Sequence, residues 1–438
     1  LFRKNSFKGG IHPLWEKTGA APRAFEILPP PEKVVLPLLQ HKGPQAFPLV
    51  KRGDRVRMGQ MIAEPSAPAS AAIHSSVSGT VLSVSDFPHP SGILIPAVEI
   101  ENDGQDTPAD ALPLEKSWKE AAPGEIVRKI MSGGVVGMSG AGVPTQVKLS
   151  PPADKLIDTF IVNVCECEPG LSCERRLLLE KTEEIMTGIL IVKKVLGSKR
   201  TVIAALDNMP DVAERIMTVL KDQRHKEISF VRLKAKYPQG HENILVHTLT
   251  KKTVSSGGTT ADRGCIVHAP STVYAVWDAV INGTPLYRRV VSVSGPCVQS
   301  PKNCWVRIGS PVRQLLDFCG IDRGSTRKVI VGGPLSGCAQ SEPLPPVLKT
   351  TCGVFAYDTL TEAVQRNECI GCGRCVKACP VGLVPGFLMK FVDNGNSNDA
   401  AAWGIADCIE CGCCSYVCPS KINLVHFMML GKYKANTA

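Results

Sequence analysis

Eight of the eighteen cysteines repeat one spacing. The runs CIGCGRCVKACP (369–380) and CIECGCCSYVCP (408–419) each read C-x2-C-x2-C-x3-C-P. Thiolates are the soft ligands that iron–sulfur clusters take. This spacing lets three of them curl around one cubane while the fourth, set off by a turn and a proline, reaches the neighbouring cluster. The pattern predicts two 4Fe-4S clusters, one on Cys369, Cys372, Cys375 and Cys418, the other on Cys408, Cys411, Cys414 and Cys379. Two structural zinc sites are the competing assignment, but zinc ribbons pair C-x2-C units without the third and fourth cysteine or the closing proline. Cys413 falls between ligands and reads as a small buried side chain. Cys165, Cys167, Cys173, Cys265, Cys297, Cys304, Cys319, Cys338 and Cys352 share no metal spacing and read as packing residues.

A second constellation lies in the middle of the chain. The segment SGGVVGMSGAGVPTQVKLS carries Gly133, Gly134, Gly137, Gly140 and Gly142, whose backbone N–H groups can converge on a phosphate or a flat ring, and Lys148 adds a charge. Taken alone, such a loop is equally well a structural turn. The next apolar run ends in NVCECEPGLSCERR, which sets Asn163, Glu166 and Glu168 at the carboxyl end of a strand, where open α/β sheets bind ligands. Two glutamates there can accept hydrogen bonds from ribose hydroxyls, or stand as solvated loop carboxylates. The loop and the acidic strand end together favour a ligand. No side chain stands out as an acid, base or nucleophile, so no catalytic residue is assigned.

The elements that must position these residues follow from periodicity. After a Pro-rich stretch (28–37), short β-type runs alternate with Gly53, Gly59 and Gly79, which predicts a small all-β unit. The acidic, Pro-containing segment 101–113 reads as a linker. From Trp118, WKEAAPGEIVRKIMSG suits a helix, DTFIVNV a buried strand, and TVIAALDN followed by DVAERIMTVLKDQRH a strand and then a helix. That alternation predicts an α/β domain with a largely parallel sheet, ending near Asn282. Residues 284–346 suggest two strands and a helix, and the remainder holds the thiol runs and a closing helix.

The chain has 438 residues, too many for one core, which implies several domains. Hydrophobic residues make up 44% and charged residues 21%, a balance that excludes a disordered or fibrous chain. No run approaches the roughly 20 apolar residues of a membrane span, and the first residues do not form an export signal. A cytoplasmic, reducing location is therefore expected, which suits thiolate ligands over disulfides. The net charge is +10, and residues 1–60 hold eleven Lys and Arg against four Asp and Glu. A solvated face explains this excess, with anionic lipid or an acidic partner protein as the alternative. Nucleic acid is not expected, because the basic residues are not interleaved with aromatics.

Read in order, GGIHP, GMSGAGVPTQVKLSPP, NVCECEP, YPQGHEN, VSVSG, VGGP and the two thiol runs resemble the RnfC subunit of the membrane-bound Rnf electron transport complex, over nearly the whole chain. The middle part is also similar to the flavin-bearing, NADH-oxidising subunit of respiratory complex I. Its loop G-x-G-G-A-G-F-P and strand end N-x-x-E-x-E-P correspond to two of these segments. The resemblance implies FMN held by Gly137, Gly140, Gly142, Lys148, Asn163 and Glu166, with NAD(H) stacked on it and held partly by Glu168. It makes Tyr237, Gly240 and Glu242 of YPQGHEN a second wall.

The implied fold is multidomain α/β with small β units. A barrel-sandwich unit of biotinyl- or lipoyl-like type falls in 1–105, a Rossmann-like FMN and NAD(H) domain in 114–283, a β-grasp unit in 284–347, and a bacterial-ferredoxin-like domain with two 4Fe-4S clusters in 348–438. The implied function is the peripheral NADH module of an ion-translocating ferredoxin:NAD oxidoreductase. It would lie on the cytoplasmic face of the inner membrane, held by the other membrane and peripheral subunits and meeting ferredoxin only indirectly. A soluble corrinoid reductase of bacterial microcompartments and an electron-wiring subunit without flavin are the alternatives. One departure stands out: where relatives carry an Asn-Asn pair, this chain has His268 and Ala269. FMN is then expected to bind more weakly, with His268, Ser271 or Thr272 taking over the phosphate contact.

Overall fold

The computed structural model describes residues 5–437 apart from 14–22, 112, 113, 115, 141, 223, 224, 342, 343 and 360–366. Two antiparallel sheets form the N-terminal unit. Lys33–Pro37, Leu94–Asn102, Gly79–Pro88 and Arg55–Val56 pair in that order, and Phe47–Pro48, Met61–Glu64 and Ile73–His74 make the other sheet. Alternation directs Val34, Leu36, Val98 and Ile100 into the core, where they meet Ile62 and Ile73. Gly79 has no substitute in this packing, because a Cβ there would lie 1.8 Å from the Glu101 carbonyl oxygen. The segment read as a linker is docked over its described residues. Met58 and Thr107 share backbone hydrogen bonding, and Arg307 grips Asp106 through two 2.6 Å bonds; residues 112 and 113 lie outside the described chain.

The α/β domain has a parallel sheet in the order Ile228–Leu233, Arg200–Leu206, Thr159–Val164, Cys265–His268. Its inner strands are nearly continuous apolar runs because helices cover the sheet, while the edge strand Ile228–Leu233 leaves Ser229 and Arg232 exposed. From Thr159–Val164 the chain steps outward twice on one side and then returns to pair on the other. The direction of winding thus reverses beside Asn163, and a crevice opens there at the carboxyl ends of the strands. Helix Thr182–Leu196 packs on Pro270–Trp277 so closely that a Cβ on Gly188 would meet the Val273 carbonyl at 2.4 Å.

A six-stranded mixed sheet follows, in the order Glu26–Ile27, Lys302–Arg307, Arg288–Ser294, Gly353–Tyr357, Lys328–Val331, Cys338–Gln340, with helix Val312–Phe318 packed on it. This corrects the sequence-derived boundaries. The sheet runs past residue 347 to take in Gly353–Tyr357, borrows Glu26–Ile27 from the N-terminal region, and has more strands than the two expected. Gly353–Tyr357 pairs in parallel with Arg288–Ser294, a contact between distant segments that local pattern does not announce. The last unit is helical, with Pro385–Asp393 packed on Leu424–Thr437 around Leu388, Ile405, Ile422 and Met428. Among the described residues no helix is long and apolar enough to cross a membrane.

Two cations are fully buried where the units meet. Lys349 Nζ donates to the carbonyls of Ala72 at 2.6 Å and Gly134 at 2.7 Å. Arg289 Nη1 donates to the carbonyls of Met138 at 3.2 Å and Lys349. Burial pushes the Lys349 ammonium down to about 7. Between that value and its ordinary one the unfolded chain keeps a proton that the folded chain has released, so stability rises with pH across this window and the penalty is greatest below it. In denaturant titrations from pH 7 to 10, this one group should add up to about 1.4 kcal/mol of stability per pH unit. Lys349→Met should remove that rise and leave two buried carbonyls without a donor, at a cost of about 1–3 kcal/mol.

Candidate functional site

Each thiol run is a loop feeding a short helix, Arg374–Ala378 in the first and Cys413–Tyr416 in the second. Gly373 (φ +70°) and Gly412 (φ +72°) hold the left-handed turn that starts each helix and folds the loop back on itself. Cys369, Cys372 and Cys375 line one cavity, and Cys418 of the other run joins them. Cys408, Cys411 and Cys414 line a second, and Cys379 of the first run joins these. The fourth thiol of each run thus stands with the opposite trio. Among the described residues no three such side chains converge on a single ion position. Four thiols border the first space and five the second, where Cys413 stands among the lining residues as well.

The surroundings suit bound thiolates. The N–H groups of Leu383 and Glu410 donate to Cys379 Sγ at 3.3 Å and to Cys408 Sγ at 3.4 Å. Burial raises the Cys408 thiol to about 11 and the Cys414 thiol to about 12, so loading with iron displaces protons. Cys411 is held below the usual thiol range, first by the hydrogen bond from the buried Cys413 thiol.

Beside the second thiol set an open cleft occupies the crevice of the parallel sheet. Its walls come from every unit except the N-terminal sandwich. Asn163, Glu166 and Glu168 follow the strand Thr159–Val164, Tyr237 and Gly240 face them, Ser336 and Cys352 come from the mixed-sheet unit, and Ile409 and Cys411 from the second thiol run. Cys411 therefore lines both the cleft and the second thiol cavity.

The predicted residues are distributed unevenly. The glycine loop reaches the cleft through Ser139. Gly137 and Gly142 shape that loop by pairing with Val143 and with each other, while Gly140 (φ +93°) has open space on the side where a Cβ would stand. Lys148 does not line the cleft but pairs with Glu242 and donates to the Val267 carbonyl at 3.1 Å. Asn163 clamps two walls together, its Nδ2 donating to Gly240 O at 2.7 Å and its Oδ1 accepting from Cys165 N–H at 3.1 Å. Gly240 is required there, since a Cβ would meet the Cys165 carbonyl at 2.3 Å.

The two glutamates are not solvated loop carboxylates. Glu166 accepts from the N–H groups of Glu174 at 3.0 Å and Arg175 at 3.4 Å at the start of helix Cys173–Glu180. Glu168 accepts from Leu335 N–H at 2.9 Å, Ser336 Oγ at 2.5 Å and the Tyr237 hydroxyl, while burial raises its pKa. Ribose contacts at either carboxylate share it with these partners.

His268 is fully buried, its pKa pushed well down by desolvation and then by Lys148, so it stands neutral and brings no charge. Its Nε2 has no partner. Ser271 donates through N–H and Oγ to Glu174, and Thr272 Oγ1 accepts from Met138 N–H at 3.0 Å, so both hydroxyls expected to replace the Asn-Asn pair are engaged within the protein. Sequence reasoning missed Glu174, raised to about 7 by burial, although it lies only six residues beyond Glu168. It also missed Ser336, Cys352 and Ile409, which carry no signal of their own.

The chemistry of the cleft suits a flavin mononucleotide, because it sets the Tyr237 ring beside buried polar atoms such as His241 Nδ1 that find no protein partner.

Comparison with known proteins agrees in layout. Residues 130–278 match the Nuo51 FMN-binding domain, 5–105 the RnfC barrel sandwich hybrid domain, and 368–422 the 4Fe-4S dicluster domain. One subunit of the proton-translocating ferredoxin:NAD(+) oxidoreductase complex of Clostridium ljungdahlii is 40% identical over 87% of this chain and 83% of its own. The corresponding polypeptide of the ion-translocating oxidoreductase complex of Rhodobacter capsulatus is 39% identical over 91% and 77%. That of the Na(+)-translocating ferredoxin:NAD(+) oxidoreductase complex of Acetobacterium woodii is 34% identical over 87% and 86%. Among solved structures, an NAD+-reducing [NiFe]-hydrogenase in the H2-reduced state is similar in fold, with a TM-score of 0.50 at 17% identity. That match covers 74% of this chain and 63%, less than two thirds, of the other.

The grouping of thiols across the two runs has a direct test. Cys379→Ala should abolish the paramagnetic resonance signal of the cluster on Cys408, Cys411 and Cys414 and spare the other. Cys413→Ala should keep the iron content of the parent protein.

Proposed function

This chain belongs to the RnfC family, whose members are subunits of ion-translocating ferredoxin:NAD oxidoreductase complexes, and we propose that it is the NADH-linked flavin and iron–sulfur module of such a complex. The observation that carries this reading is Cys411, a side chain that lines both the cleft and the second thiol cavity. A hydride carrier delivers two electrons and a 4Fe-4S cluster takes one, and FMN supplies the conversion between them when bound.

The protein's own residues bind and orient. Gly137 and Gly142 hold the glycine loop through its own backbone bonds, Gly140 leaves open space on its Cβ side and Ser139 brings the loop to the cleft, so this loop is the side from which a phosphate would be held. Lys148, paired with Glu242, contributes charge from behind the cleft wall. Asn163 and Gly240 hold the two walls at a set separation, and Tyr237 presents a ring that its bond to Glu168 keeps in place. Glu166 and Glu168 stand where ribose hydroxyls of NAD(H) would enter, with lone pairs beyond those their protein partners use. The two thiol sets then hold the clusters, Cys369, Cys372, Cys375 and Cys418 in one and Cys379, Cys408, Cys411 and Cys414 in the other.

In fold terms the parallel sheet with its switch-point crevice reads as Rossmann-like, and the mixed sheet under one helix as β-grasp. Attachment to the cytoplasmic face of the membrane goes through other subunits of the complex. Electrons exchanged with ferredoxin reach this chain through those subunits, and the direction of flow is set by the potentials at its two ends.

The test is cofactor analysis of the anaerobically purified chain, which should yield about eight iron, about eight sulfide and about one FMN per chain. Iron and sulfide at this level with no flavin, even after incubation with FMN, would reduce the chain to a wiring subunit. Asn163→Ala should weaken FMN binding by about tenfold or more, as expected when a hydrogen-bonded, half-buried amide worth about 1–3 kcal/mol is lost. Flavin fluorescence quenching on titration reads this affinity.

A further inference from the structure

The segment GGIHP belongs to neither the cleft nor the thiol cavities, yet residues 5–12 run between them. On one side the segment follows the chain that leads into Tyr237. Asn5 Nδ2 donates to Arg232 O at 3.2 Å, Lys234 N–H donates to Asn5 O at 3.1 Å, and Lys236 Nζ donates to Phe7 O at 3.1 Å while standing 4.5 Å over the Phe7 ring. Ile11 and Tyr237 exchange a reciprocal pair of backbone bonds, at 2.9 and 3.0 Å.

On its other side the segment meets the thiol unit. Gly10 N–H donates to Ala378 O at 2.8 Å, and a Cβ on Gly9 would stand 2.5 Å from the carbonyl oxygen of Cys379, a second-set thiol residue. A Cβ on Gly10 would stand 2.5 Å from Tyr237 O. Both glycines are left-handed, at φ +76°, and Phe7 and Ile11 are buried. Backbone thus lies on backbone at both faces, a contact that leaves little room for drift.

We propose that residues 5–12 form a strap that fixes the separation between the cleft and the second thiol set, and so act as positioning residues for electron passage between flavin and cluster. This rests on the function proposed above. The strap joins a cleft wall to the peptide of a thiol ligand without entering either site. Loosening it should leave both sites able to fill and change only their spacing.

The test compares Gly9→Ala with Gly53→Ala in the full chain loaded with iron, sulfide and FMN. Gly53 has the same left-handed requirement, at φ +91°, but nothing within 4 Å of its Cβ position, so it reports backbone strain alone. In stopped-flow absorbance, Gly9→Ala should reduce its flavin with NADH at the parent rate. Onward passage to the clusters should slow several-fold, because electron passage falls steeply as the separation set by the strap grows, while Gly53→Ala keeps the parent rate. Paramagnetic relaxation between flavin and cluster should weaken in parallel, a signature that general destabilisation with intact spacing would not produce.

Should Gly9→Ala fail to fold, Phe7→Ala, which withdraws the ring from beneath Lys236 and from beside Gly10 while leaving both glycines in the chain, carries the same expectation. Full cofactor content with parent rates and relaxation in the strap variants would overturn the proposal. A parent chain that takes up iron but never flavin would overturn the functional reading and the strap with it, and the parent alone distinguishes the two failures.

Discussion

Two cations kept out of water hold this architecture together. A buried ammonium or guanidinium costs several kcal/mol in lost hydration unless oxygen atoms replace the water, and here the replacements are backbone carbonyls. Lys349 takes them from Ala72 in the N-terminal sandwich and from Gly134 in the glycine loop, and Arg289 takes them from Met138 in that loop and from Lys349 itself. Buried Glu174 supplies opposing charge close to Arg289. The requirement runs both ways, because the carbonyls also need donors. Three units are locked at one point, and the glycine loop is fixed from behind, where it does not face the cleft.

With the loop fixed, the cleft becomes a product of assembly. Glu168 accepts from the mixed-sheet unit through Leu335 and Ser336 and from Tyr237 of the facing wall, so one carboxylate ties two distant segments to its own strand end. Its raised pKa and its several donors are two sides of the same burial. The thiol unit closes the end of the cleft with Ile409 and Cys411, and the N-terminal segment is laid across the seam. The cleft and the second thiol cavity are bounded in common by Ile409 and Cys411, which brings these two stations into contact.

The thiol sets were the most legible part of the sequence because their information is local. Three ligands fall within seven residues of each other, glycines supply the turns, and soft thiolates in that spacing suit little else. Asn163, Glu166 and Glu168 were legible as a position, the end of an apolar run beside a glycine loop, but not as individual roles. Spacing does not show that Glu166 would meet the helix start at Glu174 and Arg175, or that Lys148 would be paired with Glu242. The acidic segment from 101 read as a linker by composition, and became part of the body because Arg307, two hundred residues on, supplies the charge for Asp106.

By itself the sequence determined the two thiol runs of a dicluster domain, the alternation that builds a parallel sheet, and the place along the chain of the glycine loop, since each depends on neighbours within a turn or a strand. Only the tertiary structure decided which segments complete the cleft and how the mixed sheet closes with Gly353–Tyr357. It also decided that His268 stands neutral, and that a single cysteine borders both cavities. Burial, desolvation and backbone-to-backbone approach are properties of surfaces brought together from distant parts of a chain, and no local spacing encodes them.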